Sequence, residues 1–325
     1  MKKKYKAAAV SPANIAFIKY WGKKDPKINL PFNNSISMNL SGCHTTTEVE
    51  FDPRFNKDRI FIDSKEVEGE KKTRVVKILD LIRKKAKKRL FAKVVSKNNF
   101  PSDAGIASSA SAFSALALAG SKAIGLKLSQ RELSTLARLG SGSACRSVVD
   151  GFAEWKKGKD NKTSYAVQLA KPDYWNLVDI VAVVDKGKKK ASSTEGHQAA
   201  VTSPYFKTRL LELKERISRL RRTLLERQFK EFGRLLEEEA ISLHVTAMTS
   251  KPPIFYWNKG TLEVMEAVFK MREKGIRAYF TMDAGSNVHV ICLEEDGPRV
   301  RRNLGFLSEV LFTIFNRPSN GARII

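Results

Sequence analysis

A short polar and aromatic string near the N-terminus has the residue types of an anion-binding site. It reads Lys19-Tyr20-Trp21-Gly22-Lys23, so two lysines lie four residues apart with two rings and a glycine between them. Lysine ammonium groups bind phosphate or carboxylate, and the rings can shape a pocket around the ligand. A surface loop with a buried tryptophan has the same composition. The residues alone leave both interpretations open.

A stretch rich in small residues predicts a phosphate site at the start of a helix. Residues 98–115 read Asn-Asn-Phe-Pro-Ser-Asp-Ala-Gly-Ile-Ala-Ser-Ser-Ala-Ser-Ala-Phe-Ser-Ala. Pro101 and Gly105 favour a turn, and the alanine-rich run after them is typical of a helix. The first N–H groups of a helix lack partners within it and attract anions. No Gly-Lys-Ser/Thr follows, which excludes a Walker A loop, and an ordinary capped helix is the alternative.

A second loop of small residues runs from Gly140 to Ser147 and reads Gly-Ser-Gly-Ser-Ala-Cys-Arg-Ser. Alternating glycines let the backbone approach a ligand closely, and the serines offer hydroxyl groups. Arg146 adds a planar fork that suits carboxylate or phosphate. A flexible linker would not continue directly into the apolar residues Val148 and Val149. The string therefore favours a binding function.

Two further stretches carry weaker signals. Asp283 lies where a predicted strand breaks at Asp-Ala-Gly-Ser-Asn, and such a carboxylate is either an Asx-turn or a reactive group. On the residues alone, the turn is favoured. Ser192, Ser193 and Thr194 follow a lysine-rich run and could bind phosphate, although a solvated loop is the commoner case.

Hydrophobic patterns predict the elements that must position these strings. The first half has strand patterns at residues 5–19, 33–51 and 59–62, of which the last two are interpreted as an antiparallel meander, and a further strand pattern at 90–95. Helical patterns follow in that half at residues 75–82, after Gly105 and at 129–139, where Ser129 and Glu132 form a capping box. The second half adds strands at 165–169 and 177–184 and on both sides of Asp283. Its helices are predicted at residues 206–248, 262–274 and 298–315.

The composition indicates a globular protein in a reducing compartment. The chain has 325 residues, 42% of them hydrophobic, which is enough for one large or two medium lobes. Its three cysteines have no paired spacing, which argues against a disulfide framework, and no metal site is expected. No signal peptide is visible, and the nearly uncharged residues 104–124 contain five serines, so a buried helix is favoured over a membrane span. A cytoplasmic location is expected.

The net charge of +25 is unusually high. One explanation is a nucleic-acid partner. The other is a lysine-rich surface together with a site for an anionic small substrate. The basic runs have no interleaved aromatic residues of the kind that stack on bases, so nucleic-acid binding is not expected.

Four stretches taken together resemble the diphosphomevalonate decarboxylase family of the GHMP kinase superfamily. They are residues 13–23, 98–109, 140–147 and 282–285, and the resemblance covers nearly the whole chain. It implies an α+β, GHMP-kinase-like fold of two lobes with the active site in the cleft between them. The N-terminal lobe, residues 1–186, would have a mixed sheet with helices and the ATP phosphate loop. The C-terminal α+β lobe, residues 187–325, would carry the catalytic Asp.

The resemblance also implies a reaction and its cofactors. ATP with Mg2+ would phosphorylate the 3-hydroxyl of mevalonate 5-diphosphate, and loss of phosphate and CO2 would give isopentenyl diphosphate. Related decarboxylases of mevalonate 5-phosphate or the 3,5-bisphosphate, and a mevalonate 3-kinase, are alternatives; the 3-kinases lack the Asp/Lys pair. The residues leave the choice between monophosphate and diphosphate open. A homodimer is expected.

The resemblance assigns roles to individual residues. The catalytic group is Asp283, which would accept the hydroxyl proton, with Lys19 beside it and Arg146 on the substrate carboxylate. The substrate-binding residues would be Tyr20, Trp21, Gly22, Lys23, Arg74, Ser141, Gly142, Ser143, Ala144, Cys145, Arg146, Ser192, Ser193 and Thr194. The ATP-binding residues would be Asn98, Pro101, Ser102, Gly105, Ala107, Ser108 and Ser109.

The sequence departs from the family pattern at two positions. Ser286 stands where the family usually has proline, which predicts a less rigid turn after Asp283. Asp103 stands in the phosphate loop in place of a small residue, where a carboxylate would weaken ATP binding unless it points away.

Overall fold

The computed structural model describes residues 5–101, 108–187 and 191–325. These residues form two α+β lobes, each built on its own sheet, as the sequence predicts.

The N-terminal sheet is built around two long strands, one buried over most of its length and the other alternating in burial over its second half. The strands in this half of the chain are β1 (Tyr5–Ile18), β2 (Lys23–Asp25), β3 (Leu30–Pro31), β4 (Ser35–Asp52), β5 (Arg59–Ile62), β6 (Lys65–Glu66), β7 (Phe91–Asn98), β8 (Phe152–Lys156) and β9 (Tyr165–Ala170). Strand β14 (Arg323–Ile324), from the end of the chain, completes this sheet at β1. The order is β14-β1-β4-β7-β5-β6, with β8 paired to β4 and β9 to β8, while β2 and β3 form a separate hairpin.

The predicted antiparallel meander is wrong for one strand. β5 pairs in parallel with β7, with Ile60 opposite Val94, because helix α1 (Gly69–Ala86) lies between them in the chain and carries it back across the sheet. The predicted mixed character of the N-terminal sheet is thereby confirmed.

Two more helices cover this sheet, α2 (Ser108–Ala123) and α3 (Gln130–Gly140). α2 is buried on most sides because its residues are small, and its alanines let it approach β1 and β4 closely. The predicted capping box of Ser129 and Glu132 starts α3. None of the helices in the described part of the chain is long and apolar enough to cross a membrane.

The C-terminal lobe has four strands in the order β11-β12-β10-β13 and five helices. Its strands are β10 (Leu177–Val183), β11 (Ala278–Thr281), β12 (Val288–Leu293) and β13 (Phe312–Asn316). Its helices are α4 (Ser193–Ala200), α5 (Phe206–Leu225), α6 (Phe229–Met248), α7 (Lys259–Glu273) and α8 (Gly297–Gly305). Because β10 pairs with β12 and β13, the chain enters this sheet before residue 186, and the lobe division at 186/187 stays a prediction.

The predicted helix at residues 298–315 is wrong in its second half. α8 ends at Gly305, and β13 then pairs with β10, where Phe315 lies opposite Ile180. Tertiary pairing with a fully buried strand overrides the local apolar pattern here.

The lobes share a core, so they pack as one body. Phe17 and Ile36 of the N-terminal sheet contact the helical residues Leu213 and Phe232 in a single apolar cluster. The rings of Phe17 and Phe232 meet edge to face at 5.1 Å between centroids. This contact fixes the end of β1 against α6, next to the cleft between the lobes.

Candidate active site

A cavity of about 390 Å³ lies between the lobes and brings most of the predicted site residues together. The predicted residues on its wall are Lys19, Tyr20, Trp21, Lys23, Arg74, Ser109, Ser141, Gly142, Ser143, Arg146, Ser192, Ser193, Thr194 and Asp283. They come from the end of β1, from α1, from both small-residue loops, from the start of α4 and from the turn after β11. Lys19 and Asp283, which are 264 positions apart in the chain, therefore face one volume.

Lys19 and Asp283 form an ion pair at the base of the cavity. The Lys19 Nζ atom donates to Asp283 Oδ1 at 2.8 Å and to the backbone oxygen of Ala16 at 2.5 Å. The Lys19 side chain is only 1% exposed, whereas that of Asp283 is 26% exposed, so the carboxylate opens into the cavity. The Asx-turn alternative for Asp283 does not account for this salt bridge.

The electrostatics of the pair favour two charged groups. Burial raises the pKa of Asp283, but the charge and hydrogen bond of Lys19 outweigh it, so the pKa lies below its usual value. Burial lowers the pKa of Lys19, and Asp283 opposes that effect. A carboxylate and an ammonium at neutral pH satisfy both groups.

The turn after Asp283 is restrained even though it carries Ser286 in place of proline. The backbone oxygen of Ser286 accepts from the Thr261 hydroxyl at 2.6 Å, and the Asn287 side chain accepts from the backbone N–H groups of Val184 and Asp185 at 2.7 and 3.0 Å. The sequence predicts a less rigid turn because proline is absent. These hydrogen bonds restrain the turn in its place.

Arg146 is a buried cation whose protein hydrogen-bond partners are all neutral. It lies in a 3-10 helix, Gly142–Val148, and is 2% exposed. Its Nη1 donates to the Ser35 hydroxyl at 2.6 Å, and its Nε and Nη2 donate to Asn14 Oδ1 at 3.2 and 3.0 Å. Burial lowers the pKa of the guanidinium. Because an uncompensated buried charge is costly, this geometry favours an anion in the cavity beside it.

Asn14 is a functional residue that the sequence analysis did not identify. Its Oδ1 holds two nitrogens of Arg146, while its Nδ2 donates to the Ser147 hydroxyl at 2.8 Å and the Ser143 backbone oxygen at 3.2 Å. Asn14 thus fixes the arginine fork and the small-residue loop together. The only sequence signal was its place in the string 13–23.

His197 is a second residue that sequence reasoning missed. Its Nδ1 accepts from the Gly22 backbone N–H at 3.1 Å, and its ring packs against Tyr20 and Trp21 at centroid distances of 4.2 and 5.0 Å. Burial lowers its pKa to about 3, so the ring is neutral at physiological pH. Since Nδ1 accepts, the proton lies on Nε2, which makes His197 a neutral donor on the cavity wall.

A cluster of cations forms one side of the cavity. Burial lowers the pKa of Lys23, and the neighbouring charges of Arg74 and Lys77 lower it further. Arg74 donates to the Gly140 backbone oxygen at 3.1 Å, and its guanidinium lies 4.9 Å from the centre of the Phe113 ring. The cluster faces a single carboxylate, Glu70, on this part of the wall. This excess of positive charge fits a ligand group with more than one negative charge.

The predicted hydroxyl cluster begins a helix. Ser192 caps α4, where its hydroxyl accepts from the Glu195 backbone N–H at 3.2 Å and its own N–H donates to the Glu195 carboxylate at 2.6 Å. Ser193 and Thr194 form the first turn of α4 and line the cavity. The cluster therefore caps and begins a helix and does not lie in a loop, and its three residues are solvent-exposed, as the alternative held.

A second cavity of about 230 Å³ adjoins the first and shares Arg74 and Ser109 with it. Asn98 and Ser108 lie on its wall, together with the apolar residues Ile60, Ile62, Val75, Val94, Phe113 and Leu116. Pro101 lies outside both linings. Ser102, Asp103, Gly105 and Ala107 lie outside the described residues.

Three predicted substrate-binding residues do not line the cavity. Ala144 and Cys145 are fully buried, and Cys145 packs against Val149 and Trp155, so the substrate contact of these two residues stays a prediction that their side chains do not support. Gly22 has a φ of +82° and lies where a Cβ would be 2.7 Å from Phe206 Cζ. Its contribution is the N–H that orients His197.

The described residues contain no group of three or more His, Cys, Asp or Glu side chains placed to hold a metal. Hydroxyl oxygens are available where the two cavities meet, because Ser109 and Ser141 lie 3.0 Å apart. Mg2+ is commonly held by substrate phosphates and few protein groups, so this polar corner fits a metal that arrives with a nucleotide.

Comparison with known proteins gives matches over both lobes. Residues 11–166 match the family described as "Diphosphomevalonate decarboxylase-like N-terminal domain". Residues 179–313 match "Mevalonate 5-diphosphate decarboxylase C-terminal domain". A diphosphomevalonate decarboxylase from Candida albicans is 35% identical over 313 residues, which cover 91% of this chain and 86% of the relative.

Solved structures agree with these matches. Mevalonate diphosphate decarboxylase from Staphylococcus aureus superposes with a TM-score of 0.93 at 36% identity, over 98% of both chains. A structure described as MDDEF in complex with MVAPP, AMPPCP and magnesium has a TM-score of 0.93 at 35% identity, again over 98% of both chains. The two-lobed fold is thereby confirmed.

Proposed function

Because the chain belongs to the diphosphomevalonate decarboxylase family, we propose that it converts mevalonate 5-diphosphate and ATP into isopentenyl diphosphate, ADP, phosphate and CO2. The observation that carries the proposal is the placement of Asp283, Lys19 and Arg146 on one cavity wall. A carboxylate that can take a proton and a guanidinium that can hold a carboxylate serve the two ends of a 3-hydroxy acid.

The first step is transfer of the γ-phosphoryl group of ATP to the 3-hydroxyl. A tertiary alcohol is a hindered nucleophile, so it must be oriented toward phosphorus. The partly exposed carboxylate of Asp283 accepts a hydrogen bond from this hydroxyl and then its proton. The Lys19 ammonium group has one N–H left after its two described hydrogen bonds. This N–H donates to the phosphoryl group during its transfer and stabilises the negative charge there.

The second step is loss of the 3-phosphate and of CO2. Arg146 holds the substrate carboxylate, and its fork is fixed in advance by Asn14 and Ser35. As the C3–O bond breaks, positive charge develops at C3 and is stabilised by the departing phosphate, which takes the electron pair of that bond. The C1–C2 electron pair then forms the double bond while CO2 leaves. The fixed fork keeps the breaking bond aligned.

The diphosphate is assigned to the cation cluster. Lys23, Arg74 and Lys77 supply charge, while the Tyr20 hydroxyl, the His197 Nε2–H and the first turn of α4 supply neutral donors. Three cations against Glu70 fit a diphosphate better than a monophosphate. The choice that the sequence left open is therefore made in favour of mevalonate 5-diphosphate.

The nucleotide is assigned to the second cavity and to the start of α2. Apolar residues around Ile60 and Phe113 suit a purine base, and Ser108 and Ser109 suit the phosphates. Hydroxyls of Ser109 and Ser141 would hold Mg2+ together with the ATP phosphates, and the metal neutralises phosphate charge there. Pro101, Ser102, Gly105 and Ala107 remain proposed parts of the phosphate loop.

Two properties of the whole molecule are also proposed. A homodimer is supported by exposed apolar side chains on the paired helices α5 and α6, including Leu211, Ile241 and Val245. A cytoplasmic location is supported by three buried, unpaired cysteines.

The test supplies ATP and Mg2+ with mevalonate, its 5-phosphate or its 5-diphosphate, and measures ADP and CO2 together. We expect equal release of ADP and CO2 with the diphosphate, and none when ATP is omitted. ADP without CO2 would reduce the protein to a kinase. Turnover of the monophosphate with none of the diphosphate would reassign the substrate.

A further inference from the structure

Lys19 is held at its backbone as well as at its side chain. Its backbone oxygen accepts from Asn33 Nδ2 at 3.0 Å, and its backbone N–H donates to Glu239 Oε1 at 2.9 Å. Asn33 belongs to the N-terminal lobe, whereas Glu239 belongs to α6 of the C-terminal lobe. The residue that meets Asp283 is therefore fixed from both sides of the cleft.

Glu239 is a carboxylate deep in the lobe interface. It is fully buried, and Arg209 binds it through both terminal nitrogens at 2.5 and 3.1 Å. Arg216 adds a third N–H at 3.0 Å. A buried carboxylate is tolerated only with such full pairing, so the arrangement is specific to this charge and this position.

The charged groups around Lys19 come from four elements. Asp283 follows β11, Arg146 lies in the 3-10 helix, Glu239 and His244 lie on α6, and Arg209 and Arg216 on α5 reach it through Glu239. His244 is neutral, since burial lowers its pKa to about 3. Glu239 raises the pKa of Lys19 and Arg146 lowers it, so Glu239 is the carboxylate that assists Asp283 in keeping Lys19 charged.

We propose that Glu239 is a positioning residue for Lys19: it fixes the lysine backbone across the lobe interface and supports the ammonium charge from behind. It does not touch substrate. The inference rests on the proposed function, in which a charged Lys19 acts with Asp283. A packing role alone would be served by a neutral side chain, and no second carboxylate among the described residues contacts the Lys19 backbone.

The experiment compares the pH profiles of kcat for three variants at saturating ATP and mevalonate 5-diphosphate. Saturation confines the profile to the enzyme–substrate complex, so substrate-binding cations do not shift it. Glu239→Gln removes the negative charge and leaves two arginines behind it. We expect kcat to fall about tenfold or more and its alkaline limb to move about one pH unit lower.

Arg216→Gln tests the electrostatic effect of Glu239 on Lys19 with a change expected in the opposite direction. Arg216 is only partly buried, and its loss leaves the Arg209–Glu239 pair intact. The negative charge of Glu239 then acts more strongly on Lys19, so the alkaline limb should move upward by a few tenths of a pH unit. This variant decides the matter by itself if Glu239→Gln fails to fold.

Glu237→Gln is the matched control. Glu237 lies on the same helix, pairs with Arg272 at 2.7 and 3.2 Å and accepts from the Phe280 backbone N–H at 3.1 Å, but it does not contact Lys19. We expect its alkaline limb to coincide with that of the wild type. Limbs that coincide in all three variants, or that move together, would overturn the inference. Absence of CO2 release by the wild type would instead refute the proposed function.

Discussion

Replacing Arg146 by glutamine should lower kcat/KM and leave the free energy of unfolding equal or higher. Arg146 is 2% exposed, and its three hydrogen bonds go to the neutral oxygens of Asn14 and Ser35. The free protein therefore bears a buried charge for which the substrate carboxylate is the proposed partner. Activity and stability make opposite demands on this residue, and the substitution separates them.

The loss of activity follows from the hydrogen bonds that the fork would make. A hydrogen bond to a charged group contributes about 1.5–3 kcal/mol, so a bidentate pair contributes about 3–6 kcal/mol. At about 1.4 kcal/mol for each factor of ten, Arg146→Gln should lower kcat/KM by about 10²–10⁴. Release of ADP and of CO2 should fall together, because both steps need the aligned carboxylate.

The gain in stability follows from burial. Taking a charge out of water costs several kcal/mol, and replacing buried charges by neutral groups of similar volume is often neutral or stabilising by about 1–4 kcal/mol. Glutamine keeps a donor for Asn14 but loses the other hydrogen bonds. We therefore expect the free energy of unfolding in urea, without ligand, to stay equal or rise by about 1 kcal/mol.

Arg138 supplies the control, because it is also fully buried with neutral hydrogen-bond partners but does not line the cavity. Its guanidinium donates to the backbone oxygens of Ile28 and Asn161 and to the Asn161 side chain. Arg138→Gln should therefore affect the free energy of unfolding about as Arg146→Gln does, while leaving kcat/KM unchanged. The reasoning about Arg146 is refuted if Arg146→Gln lowers the free energy of unfolding by more than about 1 kcal/mol, or if it leaves kcat/KM unchanged.

Three further outcomes are expected. Asp283→Asn should lower kcat by about 10³ while ATP affinity, measured by titration calorimetry, changes less than about threefold; normal turnover would remove Asp283 from the mechanism. Lys23→Met should raise KM for mevalonate 5-diphosphate about tenfold at similar kcat, whereas Lys24→Met, on the exposed side of β2, should not; equal effects of the two would contradict the cation cluster. The depressed pKa of His244, about 3, means that the unfolded chain binds a proton below pH 6.5 that the folded chain does not. His197 has a similarly depressed pKa, so the two rings together should lower the free energy of unfolding by about 2–3 kcal/mol per pH unit between about pH 6 and pH 3. His244→Gln should remove about half of that slope in urea titrations; an unchanged slope would show that the ring titrates normally.

The sequence predicted most of the elements because their signals are local. Examples are the capping box of Ser129 and Glu132, the buried stripes of α5 and α6 and the alternation in β4, each visible within about ten residues. The parallel pairing of β5 with β7 and the strand β13 were missed. Both depend on a partner strand far along the chain, which periodicity cannot identify.

The prediction of the candidate site was divided in the same way between local signals and long-range ones. The two small-residue loops and the Lys-Tyr-Trp-Gly-Lys string were found because several special residues are adjacent in each. Asn14, His197 and Glu239 were missed, since each is a single ordinary residue that gains its role from a partner more than 130 positions away. Cys145 is the converse case. It lies inside a functional string, but its side chain points into an apolar cluster.

The ligand that the cavity must bind explains why its cations are not matched by an equal number of carboxylates. Lys19 and Arg146 are almost completely buried, and a neighbouring carboxylate for each would cancel the field that a polyanionic ligand needs. The protein instead holds Arg146 with neutral oxygens and lets Lys19 share Asp283, leaving cations in excess on the wall. In the ligand-free protein, the positive charges on the cavity wall repel one another, as Lys23, Arg74 and Lys77 do. Ligands with carboxylate and phosphate groups reduce this repulsion. Binding and folding are therefore coupled through charge, and residues such as Glu239, which offset part of the repulsion from behind, are where stability and catalysis can be adjusted separately.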